Sequence, residues 1–155
     1  MSELDVRIVR MEPIRVASAY GFGTGPEGIA WEKLIAFVKE TGLDKDGQEH
    51  RYLGFNNPNP SPGSPNYGYE QWVTVGPEVE ANGDIKIKEF GGGLYAVTRC
   101  RLGDIVTTWQ KLAAWHENSA YRHAHHQWLE DCLTPPMDGS ITEDAMFDLY
   151  MPIAG

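Results

Sequence analysis

The stretch Trp31-Glu32-Lys33-Leu34-Ile35-Ala36-Phe37 returns as Trp109-Gln110-Lys111-Leu112-Ala113-Ala114-Trp115, so that Trp109 stands 78 residues after Trp31. The same interval of 78 separates Glu70, in Tyr67-Gly68-Tyr69-Glu70-Gln71-Trp72-Val73-Thr74-Val75, from Asp148, in Ala145-Met146-Phe147-Asp148-Leu149-Tyr150-Met151-Pro152. One interval kept across a helix-like pattern and a strand-like pattern points to an internal duplication. It predicts two similar units, over about residues 5–80 and 84–155, packed about a pseudo-two-fold axis within a single domain 1–155.

The stretches around Glu70 and Asp148 read as strands, because aromatic and β-branched residues dominate and Gly, Pro and Asn clusters bound them. Strand alternation sends Tyr69, Gln71 and Val73 to one face and Glu70, Trp72 and Thr74 to the other. It likewise separates Phe147, Leu149 and Met151 from Met146, Asp148 and Tyr150. Each acid is thus followed, on its own face, by a large aromatic ring. If the duplication sets Glu70 and Asp148 in equivalent places, the pair can face one hollow.

Outward from these stretches, residues 6–11, 14–20, 51–55, 85–90 and 94–100 alternate or carry β-branched runs that predict strands. A helix is predicted over 26–40, its apolar stripe including Ile29, Leu34, Phe37 and Val38, ended by Thr41-Gly42. Thr24-Gly25-Pro26-Glu27 has the form of a capping box at its start. A second helix is predicted over 105–117, with Asp104 as its cap and Ile105, Trp109, Leu112 and His116 along one stripe. A third is predicted over 124–133, ended by Thr134-Pro135-Pro136. The proline-rich segment 56–66 reads as a loop, either a flap beside a cleft or a connection without a role. Together these elements predict an α+β fold: duplicated βαββ units, an antiparallel sheet, and helices covering one face.

The composition, 41% hydrophobic and 23% charged over 155 residues, is that of an ordinary globular chain. A formal net charge of −9 repels phosphate backbones and argues against direct nucleic-acid binding. No apolar run nears the roughly 20 residues that span a bilayer, and Met1-Ser2-Glu3-Leu4-Asp5 lacks a signal pattern, so the cytoplasm and no membrane partner are expected. Cys100 and Cys132 are too few for a disulfide framework. His123-Ala124-His125-His126 lacks the companions that a zinc site needs, and neither a metal nor a cofactor is expected. Gly91-Gly92-Gly93 precedes a strand rather than a helix and is a bend, not a phosphate loop.

A carboxylate against an aromatic ring can do two things. It can hold an organic cation, with cation–π contacts adding about 0.5–2 kcal/mol each. Partly desolvated, it can have a raised pKa and act as a general base. A third reading is bland: Glu70 and Asp148 face solvent from an exposed sheet.

In their order along the chain, several stretches resemble the GyrI-like small-molecule-binding family, which is also the effector-binding half of AraC-type and multidrug-responsive regulators. They are the strand before Gly21-Phe22-Gly23, the Trp31/Leu34 helix, Tyr69-Glu70-Gln71-Trp72-Val73-Thr74-Val75, Gly92-Gly93-Leu94-Tyr95-Ala96-Val97, Trp109-Gln110-Lys111-Leu112 and Phe147-Asp148-Leu149-Tyr150-Met151-Pro152-Ile153. The resemblance implies a central cleft for planar aromatic or cationic amphipathic molecules. It also implies an acid on the last strand, which here is Asp148 where Glu is more usual. The Glu70-Gln71-Trp72 strand resembles the stand-alone branch whose members hydrolyse cyclopropane-bearing DNA-alkylating compounds. By that resemblance Glu70 activates water and Asp148 orients it, while Trp72, Tyr150, Trp109, Trp115 and Tyr95 line the ligand site. A sensor or sequestering module without chemistry, and an inhibitor docking on gyrase, remain open, as does a homodimer.

Overall fold

The computed structural model describes residues 4–57, 59, 61–138 and 141–155. The expectations that fall on residues 1–3, 58, 60, 139 and 140 lie outside the described residues. In chain order the elements are β1 (Arg7–Met11), β2 (Ile14–Gly23), α1 (Pro26–Thr41), β3 (Tyr52–Asn56), β4 (Tyr67–Thr74), β5 (Lys86–Phe90), β6 (Gly93–Arg101), α2 (Ile105–Glu117), β7 (Arg122–His123), β8 (Leu129–Cys132) and β9 (Met146–Ala154). All pairings are antiparallel. The strands form one open sheet in the order β1-β6-β9-β8-β3-β4-β2-β5, with β7 against β9.

That order is a palindrome of the two halves. The strands β2, β3 and β4 of the first unit mirror β6, β8 and β9 of the second about the β3/β8 seam. At the seam Leu53 pairs with Asp131, residues that are themselves 78 apart, so the pseudo-two-fold axis passes through this pair. The leading strand of each unit is exchanged: β1 pairs with β6 of the second unit, and β5 pairs with β2 of the first. Each exchanged strand ties the two halves together by backbone hydrogen bonds.

Both helices pack on one face. Trp31, Leu34, Phe37 and Val38 of α1 and Leu112 of α2 share a core with Ala17, Ala19, Val73, Ala96, Phe147, Leu149 and Met151 of the strands. The other face holds a second core of Val16, Leu53, Phe55, Trp72, Tyr95, Val97, Leu129 and Tyr150. Burying a side chain of this size stabilises by about 1.5–3 kcal/mol, so both faces of the sheet contribute to stability. No helix among the described residues is long and apolar enough to cross a membrane.

Three local expectations are corrected. Residues 124–133 contain no helix; the segment holds β8, whose four residues alternate between the two cores. The seam position decides this, because extended backbone there completes the ladder to β3. Second, the capping box does not form: Gly25 is the N-cap of α1 without a side-chain bond, and Glu27 turns away to Tyr67. Third, Ile29 leaves the apolar stripe and is exposed, its place against the sheet taken by Ala30 and Trp31. Asp104 occupies the N-cap position of α2, also without a side-chain cap bond. Gly42 ends α1 in the left-handed conformation, at φ 76°, which glycine adopts without steric cost.

Candidate functional site

Alternation along β8 sends Glu130 and Cys132 toward the helices and Leu129 and Asp131 to the opposite core. On the helix side the Tyr69 hydroxyl of β4 donates to Glu130 Oε1 at 2.8 Å, and the Trp109 indole Nε1 of α2 donates to Glu130 Oε2 at 3.2 Å. Tyr69 must cross β3 to reach this acid. It passes over Gly54, the residue paired with Glu130, where an added Cβ would lie 2.2 Å from the Tyr69 hydroxyl oxygen and 2.6 Å from Gln71 Oε1. The missing side chain at Gly54 thus makes room for the tyrosine–carboxylate bond.

Burial pushes the Glu130 carboxyl above its ordinary range, and the like charge of Glu27 adds to the rise. The hydrogen bonds from Tyr69 and Trp109 oppose it without cancelling it. Burial, and then the Glu130 charge, push the Tyr69 hydroxyl well above its ordinary value, so it stays a donor at neutral pH.

Glu27 repeats the arrangement. It lies in the first turn of α1, where the helix dipole favours an anion. Both its oxygens accept from the Tyr67 hydroxyl, at 2.6 and 2.9 Å. Burial, followed by the bond to Glu27, raises the Tyr67 hydroxyl to about 12. Tyr67 and Tyr69 are two positions apart on β4 and share a face, so the two acid–tyrosine pairs sit side by side.

Both acids and Tyr69 line a cavity of about 460 Å³ between α1 and α2, which Trp31, Trp109 and Phe147 also wall. A side lobe of about 330 Å³ shares Asn56, Trp109 and Glu130. It opens where β3 and β8, paired only at Leu53–Asp131 and Gly54–Glu130, part at Phe55 and Leu129. Trp128 closes that lobe, tilted on Trp109 with ring centroids 5.5 Å apart. Asn59 of the proline-rich loop lines it too, which places part of that loop beside the cleft. Among the described residues no Lys, Arg or His forms an ion pair with Glu27 or Glu130. No group of three or more His, Cys, Asp or Glu among them is arranged to hold a metal ion.

The opposite face differs in kind, for each of its buried carboxylates is matched by a base. Glu70 accepts from Lys88, Ser18 Oγ, Trp72 Nε1 and Asn57 Nδ2. Burial alone would raise its carboxyl, but Lys88 and the neutral donors outweigh burial and hold it below the ordinary value. Asp148 accepts from Arg99 at 2.9 and 3.3 Å and pairs with Arg7 at 2.9 Å. Asp131 pairs with Arg51, which also donates to the Tyr150 hydroxyl at 2.8 Å.

The structure therefore does not bring Glu70 and Asp148 to a common hollow. They share a face, as alternation requires, but β3 and β8 stand between their strands, a separation of roughly 14 Å at about 4.8 Å per strand. Trp72, Tyr95 and Tyr150 belong to the core on that face: Trp72 packs on Phe55 and Phe90, and Tyr95 packs on Tyr150. Trp115 stacks on Tyr121 beside α2. Of the residues expected at the site, Trp109 alone lines the cleft.

Glu130, Glu27, Tyr69 and Tyr67 were missed. The duplication itself carried the signal for Glu130: 78 residues before it stands Tyr52, in a segment that reads as strand. Carried across, that reading makes 129–133 a strand and aims Glu130 at the repeated tryptophan. In the first unit Trp31 stacks on Tyr52 with centroids 5.9 Å apart; in the second Trp109 donates to Glu130. The pseudo-symmetry is broken where a carboxylate replaces a tyrosine.

A duplicated βαββ sheet with an acidic, aromatic cleft between its two helices defines a class of small-molecule-binding domains. The chain matches the GyrI-like small molecule binding domain over residues 4–154 and belongs to that family. No curated protein matches the sequence. EcmrR in an EcmrR–DNA complex superposes with a TM-score of 0.71 at 12% identity, over 97% of this chain and 57% of that one. This chain thus spans little more than half of that protein. A hydrolase from Listeria innocua gives 0.66 at 12% identity, over 99% of this chain and 94% of the other. SAV2435 bound to tetraphenylphosphonium gives 0.62 at 12% identity, over 98% and 95%. At these identities the likeness is one of fold.

Proposed function

We propose that this domain binds aromatic, positively charged small molecules in the cleft between α1 and α2, with Glu130 as the charged contact and Trp31 and Trp109 as walls. One observation carries the reading. The acids on the far face are neutralised by Arg or Lys, whereas the two acids of the cleft hold only neutral donors. A half-buried carboxylate without a cation is costly, and a cationic ligand supplies the missing charge in a cavity that Trp31 and Trp109 help to line. That a protein of the same fold is bound to tetraphenylphosphonium supports the choice of probe. The test is calorimetric titration with tetraphenylphosphonium. Saturable one-to-one binding that weakens in Glu130→Gln supports the reading, and no binding refutes it.

The raised Glu130 carboxyl favours a second reading, in which the cleft opens a strained cyclopropane in a planar substrate. The oxygen of water bonds to a ring carbon, the strained carbon–carbon bond breaks, and the conjugated ring system takes up its electron pair. The proton of water passes to Glu130, whose carboxylate burial makes more basic than an ordinary glutamate. Incubation with a cyclopropane-bearing alkylator should yield the water-opened product with the native chain and not with Glu130→Gln. Unchanged alkylator leaves the domain a binding module.

A further inference from the structure

Resting on the cation-binding reading, we infer that the cleft selects dications: planar molecules whose two positive centres match the two acid–tyrosine pairs. Tyr67 and Tyr69 project from the same face of β4, two residues apart, which separates their strand positions by about 7 Å. Each holds a different carboxylate, Glu27 from α1 and Glu130 from β8. Both acids line the one cavity of about 460 Å³, so the cleft presents two negative charges to a single ligand.

Among the described residues no basic side chain in the cleft offsets the second charge. The residues lining the main cavity include no Lys, Arg or His, and neither acid has an ion-pair partner among the described residues. A monocation satisfies one carboxylate and leaves the other facing only tyrosine. A rigid dication satisfies both. Trp31 and Trp109, equivalent in the two units, line the same cavity, Trp31 with its ring stacked on Tyr52.

The probe pair is a dimethylated bipyridinium, with one cationic nitrogen in each ring, and its one-charge analogue in which a phenyl ring replaces one methylpyridinium ring. The two share size and flatness, so their affinity ratio reads the second charge. The native domain should bind the dication at least about tenfold more tightly, the scale of one charge-assisted contact. Glu27→Gln should collapse the ratio to within about threefold, and raising the salt should shrink it as well. Circular dichroism of the variant confirms that it is folded. Tetraphenylphosphonium binding together with equal affinities for the two probes overturns the dication inference and leaves the cation reading standing. Failure of all three probes to bind overturns both. A ratio that survives Glu27→Gln also overturns the inference, because the second charge would then be read elsewhere.

Discussion

Glu130→Gln and Glu70→Gln remove the same charge from the two faces of one sheet, and the structure assigns them opposite consequences. A cation held about 5 Å from the Glu130 carboxylate gains roughly 3 kcal/mol at an effective dielectric of about 20. Water and salt in an open cleft reduce this, so Glu130→Gln should cost about 1.5–3 kcal/mol of binding, roughly 10- to 100-fold in Kd for tetraphenylphosphonium. Stability should move the other way. Glu130 is charged against burial and against Glu27 with no base beside it, so the neutral amide should leave the melting temperature unchanged or raise it. Glu70→Gln breaks a pair with Lys88 and weakens bonds from Ser18, Trp72 and Asn57. Lys88 is 43% exposed and can turn to water, so the loss should be about 1–3 kcal/mol rather than the larger cost of a fully buried pair. Its effect on ligand affinity should stay within about twofold. Calorimetry for Kd and urea unfolding for stability read both quantities. A Glu70→Gln chain that folds normally but no longer binds, beside a Glu130→Gln chain that binds as before, would refute the assignment of the site to the helix side.

Four further outcomes follow from the same geometry. Cation affinity should fall as the pH is lowered through the Glu130 pKa, with a midpoint above that of an ordinary glutamate, since protonation removes the charge that the ligand meets. The linkage to stability has the opposite sense: a carboxyl raised by folding binds its proton more tightly in the native state, so this group's contribution declines as the pH rises from the unfolded-state value through the folded one. Urea titrations across that window, native against Glu130→Gln, should show the decline only in the native chain. Gly54→Ala should push Tyr69 off Glu130, because the new carbon would stand 2.2 Å from the Tyr69 hydroxyl; we expect roughly threefold or more weaker binding, with secondary structure intact by circular dichroism. Asp148→Ala should destabilise by about 1–2 kcal/mol in urea, because it removes the shared partner of Arg7 and Arg99, which are half exposed and can turn to water, and should leave cation binding unchanged.

Much of the architecture was legible before any coordinates. The 78-residue interval between Trp31 and Trp109, and between Glu70 and Asp148, foretold the mirrored halves, and alternation correctly divided the faces of β4 and β9. The site was less legible, for a physical reason. Period-two alternation says which side chains share a face, but not which face lies beneath the helices, and the acids that follow aromatics on β4 and β9 lie on the far one. There they are consumed by Lys88, Arg7 and Arg99, partners distant in sequence that no local pattern reveals. Glu130 was hidden in a short segment whose composition, Gln127-Trp128-Leu129-Glu130-Asp131-Cys132, favours neither helix nor strand. Its pairing with β3 on one side and β9 on the other makes it extended. The duplication, applied to that segment, contained the missing information.

A crystal structure of the domain with tetraphenylphosphonium locates the ligand without reference to any variant. The cation should lie between α1 and α2, its phosphorus nearest Glu130 and its rings against Trp31 and Trp109. Density for the ligand on the other side of the sheet, beside Glu70 or Asp148, would contradict the account.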